Sequence, residues 1–301
     1  MHWHILGAGS IGLLWAAKLA KAGYPTTLIL RNQEKLEQFR LHNRFGLEQD
    51  GALCYFSTEA ELSSAPAPIT NLLITTKAYA AENAFNSVKQ RLSDTSNVLL
   101  LHNGMGPQQK LANLHPDLNI WAGSTTDGAY LESAFHVIQA GTGETRIGSL
   151  GNENRDDLYR SLKAIPGTLI HEPRIILTLW RKLAINCAIN PLTAIYNCKN
   201  GALVSTPEYL EQMQRICNEV ERVAQMLNIP LFPVPLIEQA IQVANLTAEN
   251  NSSMQQDIQH GRPTEIETIT GFLCDQAKQI NIEAPVNNQL LTRIRQLSAD
   301  R

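Results

Sequence analysis

Short apolar runs alternate with amphipathic stretches over roughly the first 170 residues of the chain. The runs at 3–6, 26–30, 72–75, 98–101 and 120–122 are brief and apolar throughout. That is the pattern of strands buried on both faces of a parallel sheet. Between them, residues 11–22, 80–92 and 108–114 carry helical spacing, and the alternation predicts an α/β, doubly wound domain. Residues 135–150, centred on Gly141 and Gly143, predict a hairpin that closes it. After about residue 172 the period changes. Stretches 174–189, 207–227, 235–250 and 265–280 are all helical in spacing, punctuated by Pro230, Pro233, Pro235 and Pro285. The chain therefore divides into an N-terminal α/β domain, 1–172, and an all-helical C-terminal domain, 173–301. A cleft between two such domains is the expected place for a small-molecule site.

Composition narrows the function classes. The 301 residues are 44% hydrophobic and 18% charged, as in a folded globular protein, with room for two domains. A net charge of -3 argues against nucleic acid as a partner. The five cysteines (54, 187, 198, 217 and 274) are odd in number, widely spaced and without a CxxC pair, which points to a reducing compartment. The apolar stretch from Ile11 to Ala17 is broken by glycine and followed by Lys18 and Lys21, so it reads as neither a signal peptide nor a membrane span. The expectation is a cytoplasmic protein with no membrane, nucleic-acid or metal partner, and with a homodimer as a candidate assembly. The Asn-x-Ser/Thr triplets at Asn245, Asn250 and Asn251 are read as chance matches.

The first strand runs straight into Gly7-Ala8-Gly9-Ser10-Ile11-Gly12 and then an apolar helix. In that context GxGxxG is a Rossmann-type dinucleotide fingerprint. Gly7 permits the turn, Gly9 admits a pyrophosphate and Gly12 lets helix and strand pack closely. The helix start offers unpaired N–H groups and a positive dipole end to the phosphates. The second strand ends Leu28-Ile29-Leu30-Arg31-Asn32, with arginine where an NAD enzyme carries Asp or Glu. An arginine can bind a 2′-phosphate that a carboxylate would repel, so the cofactor expected is NADPH/NADP+.

Reducing a carbonyl with NADPH builds negative charge on oxygen, and the enzyme must supply a proton. None of the eight histidines has a partner motif that marks it as the donor, and His102 reads as support for the turn that follows it. Lysine is the better candidate. Lys182, Asn186 and Asn190 lie four apart in an otherwise apolar helical stretch and share one face, since four residues drift by only about 40°. Two amides in such a helix need partners, either within the core or on a polar substrate. Pro191 is expected to kink or end the helix.

Several segments together resemble the ketopantoate (2-dehydropantoate 2-) reductase family. They are Leu-Trp-Arg-Lys-Leu-Ala-Ile-Asn-Cys-Ala-Ile-Asn-Pro-Leu-Thr-Ala-Ile-Tyr-Asn-Cys (179–198), His-Asn-Gly-Met-Gly (102–106), Thr-Ala-Glu-Asn-Asn-Ser-Ser-Met-Gln-Gln-Asp (247–257) and Thr-Glu-Ile-Glu (264–267). The resemblance covers nearly the whole chain. It implies NADPH-dependent reduction of 2-dehydropantoate to (R)-pantoate, on the way to pantothenate and coenzyme A. It implies Lys182 as proton donor and Glu265 beside that lysine and the nicotinamide ribose. Asn103 would sit where cofactor and 2-oxo acid meet. Asn186, Asn190, Asn200, Asn250 and Ser253 match substrate-binding positions; Lys77 and Ala129 match cofactor contacts. Around Ala129 the chain reads Thr126-Asp127-Gly128-Ala129 where the family pattern has Thr-His-Ala, which puts that contact in doubt. Two other readings compete: a reductase of another 2-oxo acid or an imine on the same architecture, and a non-catalytic NADP(H) sensor.

Overall fold

A computed structural model describes residues 1–151 and 155–299. They form two compact units. The first comprises Met1–His102 and Pro107–Ile175; the second comprises Asn103–Gly106 and the chain from Ile176 onward.

In order, the first unit contains β1 (Trp3–Leu6), α1 (Ser10–Lys21), β2 (Thr26–Leu30), α2 (Gln33–Arg40), β3 (Arg44–Gln49), β4 (Ala52–Ser57), β5 (Glu59–Leu62) and β6 (Asn71–Ile74). Then follow α3 (Ala78–Val88), β7 (Asn97–Leu100), α4 (Pro107–Leu114), β8 (Asn119–Thr125), β9 (Gly128–Ser133), β10 (His136–Gly141), β11 (Glu144–Ser149), α5 (Asp157–Ser161) and β12 (Thr168–His171). The main sheet has the order β12-β11-β8-β7-β6-β1-β2-β5. It is parallel from β8 to β5, and β11 enters antiparallel to β8. Order reverses at β1, between β2 and β6, the switch point at which open α/β sheets place their ligands. All four residues of β1 and all four of β6 are buried, as strands covered on both faces must be.

A second sheet, β4-β3-β10-β9, packs with α1. Val137, Phe45 and Leu47 from this sheet share one apolar core with Trp3 and Ile5 of β1 and Leu13, Trp15 and Leu19 of α1. That double coverage explains why α1 is buried without interruption from Gly12 to Leu19 rather than along one stripe. Here the sequence expectation fails. Residues 135–150 do not make a hairpin: β10 pairs with β3 and β9, whereas β11 pairs with β8 and β12. The strands were legible but their partners were not. The connection is a tight crossing between sheets, where a Cβ on Gly143 would come within 2.3 Å of Thr126 Oγ1.

The second unit is helical: α6 (Ile175–Tyr196), α7 (Ala202–Ser205), α8 (Pro207–Met226), α9 (Leu236–Leu246), α10 (Ser253–Gln259), α11 (Thr270–Gln279) and α12 (Pro285–Ala299). Helix α8 buries Met213, Ile216, Cys217, Val220, Val223 and Ala224 at helical spacing, and packs against α7, α9, α11 and α12. Pro191 does not end α6, which runs on to Tyr196. A proline removes one backbone donor and leaves the others in place, so a well-packed helix continues past it. The 235–250 stretch is helical only as far as Leu246, and 265–280 opens with a 3-10 turn, Ile266–Thr268, before α11. No helix among the described residues is long and apolar enough to cross a membrane.

Candidate active site

The glycine turn between β1 and α1 divides its three glycines by what surrounds them. Gly7 has φ +117°, and a Cβ there would stand 2.8 Å from Thr76 N. A Cβ on Gly12 would stand 1.9 Å from Gly7 O, which also accepts a 2.7 Å hydrogen bond from Thr75 Oγ1. Both glycines are demanded by the protein's own packing. Gly9 is not: its backbone is extended, and a Cβ would meet nothing within 4 Å. An open approach at the middle glycine, beside a helix start with no side-chain cap and no acid in its first turn, fits a pyrophosphate. Ser10 and Ile11 supply the first turn of that helix, and Ala8 packs on the core beneath it.

Arg31 stands exposed just past β2, and the next residue, Asn32, caps α2 by accepting from Lys35 N at 3.0 Å. Lys77 is half-buried at the start of α3, past the end of β6. Ala129 lies in β9 opposite Gln139 and packs on the apolar core around α1. The departure beside it has a structural reason. Asp127 is buried and pairs with Lys18 of α1, while accepting from Thr125 Oγ1 at 3.1 Å and from Gly143 N at 3.0 Å. It ties helix, strand and crossing together.

In the helical unit, α6 presents Lys182, Asn186 and Asn190 at four-residue spacing, with Lys182 and Asn186 half-buried and Asn190 buried. Burial lowers the Lys182 ammonium to about 8, and the Glu265 carboxylate opposes that by stabilising the charged form. Glu265 is 4% exposed and accepts from Asn103 Nδ2 at 3.3 Å. Asn103 is held there by its neighbours. Gly104 has φ +77°, a Cβ on it would come within 2.5 Å of Thr268 Oγ1, and Met105 N donates to Thr268 O at 2.8 Å. The 3-10 turn after Glu265 thus anchors the Asn103–Gly106 segment, and the amide of Asn103 is fixed on a carboxylate whose charge acts on Lys182.

The remaining polar positions are stitched together through the backbone. Asn200 N donates to Asn250 O at 3.0 Å, Gly201 N to Ala248 O at 3.1 Å, and Asn200 Nδ2 to Thr247 Oγ1 at 2.8 Å. Asn200 Oδ1 is buried without a hydrogen-bond partner among the described residues, so it is an acceptor on offer. The side chains of Asn250 and Ser253 are exposed. Sequence reasoning passed over Ser252, whose Oγ caps α10 by accepting from Gln255 N at 3.1 Å. The signal was present: Ser252-Ser253-Met254-Gln255 has the S-x-x-Q spacing of a capping box.

Known proteins match both units. The family model described as ketopantoate reductase PanE/ApbA matches residues 3–152, and its C-terminal counterpart matches 174–298. The chain is 34% identical over 295 residues to a 2-dehydropantoate 2-reductase of Vibrio cholerae, covering 97% of this chain and 96% of that one. It is also 34% identical over 292 residues to one from Pyrococcus horikoshii, covering 95% and 94%. Among solved structures, a probable 2-dehydropantoate 2-reductase from Bacillus subtilis is 28% identical with TM-score 0.83, covering 99% of this chain and 100% of that one. A D-mandelate dehydrogenase solved with NADH and anilino(oxo)acetate shares the fold at 22% identity, with TM-score 0.90 and coverage of 100% and 99%.

Proposed function

Since the chain belongs to the ketopantoate reductase family, we propose that it reduces 2-dehydropantoate to (R)-pantoate with NADPH, and that Lys182 supplies the proton. The observation that carries this reading is the buried Glu265 carboxylate, bonded by Asn103 Nδ2 at 3.3 Å and acting by its charge on the half-buried Lys182. A sensor would have no use for a lysine tuned toward neutral pH. NADPH supplies hydride to C2. Lys182 Nζ donates a proton to the C2 oxygen as its charge develops and is left as the neutral amine. Glu265 stabilises the ammonium beforehand, and Asn103 Nδ2 orients Glu265. An acid near 8 suits this task, because it is charged at neutral pH and yet gives up its proton readily.

Gly7, Ala8, Gly9, Ser10, Ile11 and Gly12 would hold the pyrophosphate, Arg31 the 2′-phosphate, and Lys77 and Ala129 would be further cofactor contacts. Glu265 and Asn103 would serve the nicotinamide end, as the family resemblance implies. Asn186, Asn190, Asn200, Asn250 and Ser253 bind the substrate's carboxylate and hydroxyl. The protein works in the cytoplasm, a reducing compartment in which its five cysteines stay free thiols.

The test is steady-state NADPH oxidation with 2-dehydropantoate against 3-methyl-2-oxobutanoate, which lacks the hydroxymethyl group. A site built to bond that hydroxyl discriminates by at least about 100-fold in kcat/KM. Equal efficiency with both acids would favour a broader 2-oxo acid reductase.

A further inference from the structure

The hydroxyl of Thr193 joins α6 to the start of α10. It donates to Ser252 Oγ at 2.7 Å and lies 3.0 and 3.1 Å from the carbonyl oxygens of Asn190 and Ile189. Ser252 Oγ also accepts from Gln255 N at 3.1 Å. Thr193 is wholly buried and Ser252 is 6% exposed. A buried hydroxyl in an apolar helix is costly unless bonded, and valine would fill the same space without that cost.

Thr193 follows Lys182 by eleven positions. Eleven residues of α-helix advance about 1100°, three turns plus about 20°. Thr193 therefore falls on the same stripe of α6 as Lys182, with Asn186 and Asn190 between them. Ser252 is seated on that stripe, Ser253 follows it directly, and Asn250 precedes it by two residues. The backbone of Asn250 is bonded in turn to Asn200. One hydroxyl pair thus fixes where the 250–253 segment meets the helix that bears the lysine and its amides.

We propose that Thr193 is a positioning residue. Acting through Ser252, it holds Asn250 and Ser253 in register with Asn186 and Asn190 and so sets the affinity for the 2-oxo acid, with no part in proton transfer. This rests on the functional reading above.

The experiment compares wild type, Thr193→Val and Thr193→Ser. The valine variant raises KM for 2-dehydropantoate about tenfold, as expected for one lost buried hydrogen bond, and leaves kcat within about twofold. KM for NADPH and the alkaline limb of the kcat–pH profile stay in place. The serine variant, which keeps the hydroxyl, returns KM to within about twofold of wild type. Amide hydrogen exchange at Gln255 speeds up in the valine variant only. An unchanged KM in Thr193→Val, a parallel loss in kcat and both Michaelis constants, or failure of serine to restore KM would each overturn the proposal. The wild-type assay separates the two claims. If wild type does not reduce 2-dehydropantoate, the functional reading fails, and the KM comparison is made with the 2-oxo acid it does reduce.

Discussion

At the scale of single residues, the proposed chemistry turns on one lysine, Lys182, in a low-dielectric setting. Burial disfavours the ammonium and brings it to about 8, and Glu265 limits the drop. The donor must be protonated, so kcat for reduction is full below about pH 8 and is lost as pH rises through that value. Glu265→Gln removes the charge that supports the ammonium, and its alkaline limb moves to lower pH in a kcat–pH profile. A limb that stays in place would mean that Glu265 does not act on Lys182. Arg31→Asp is expected to raise KM for NADPH far more than for NADH, because only NADPH carries the 2′-phosphate; a steady-state comparison reads it directly. Lys182, Asn186 and Asn190 were legible from spacing, since helical period alone sets a shared face. Glu265 and Asn103 were not. Their hydrogen bond joins positions 162 residues apart, and only resemblance to a family brought them together.

Among the elements, the glycine turn and the helix caps make separable claims. Gly12→Ala would drive a Cβ to 1.9 Å from Gly7 O and should prevent β1 and α1 from packing, seen as loss of soluble folded protein. Gly9→Ala has free space around it, so its thermal midpoint should match wild type while NADPH binding weakens, read by fluorescence titration. Loss of stability in Gly9→Ala would show that the open side of the turn is not a ligand approach.

Glu219 on α8 tests a different device. It is buried and accepts from Val286 N, Asn287 N and Asn287 Nδ2 at 2.8–2.9 Å, capping α12 from a neighbouring helix. Glu219→Ala leaves those donors unpaired and should cost about 3 kcal/mol in thermal or denaturant unfolding, with Michaelis constants unchanged. Helix α12 itself was only marked in the sequence by Pro285, because its cap comes from 67 residues upstream. The same non-locality explains the misread hairpin at 135–150: alternation identifies a strand, but pairing is decided by partners such as β3 and β8. Of the two outcomes expected at Pro191, an end to the helix does not occur: local propensity is overridden by the packing of a long helix.

For the whole molecule, the two units differ in what they offer. The first offers a dinucleotide fingerprint at the switch point of a parallel sheet, and the second offers a half-buried lysine whose charge burial disfavours, on one helix face with two amides. NADPH at a hundred times its Kd should stabilise the full chain by about 2.7 kcal/mol, and NADH at the same concentration by clearly less, in a thermal-shift assay. The change of period near residue 172 predicts a domain boundary there; by contacts the chain divides after Ile175, and the Asn103–Gly106 segment goes with the helical unit. No periodicity could have shown that, because four residues anchored by a 3-10 turn carry no period of their own. The decisive measurement is single-turnover oxidation of NADPH by 2-dehydropantoate in wild type and Lys182→Ala. Wild type should oxidise the cofactor rapidly and yield (R)-pantoate, and the variant should be slower by at least about 100-fold while still binding NADPH. A variant as fast as wild type would contradict the assignment of Lys182 as the proton donor.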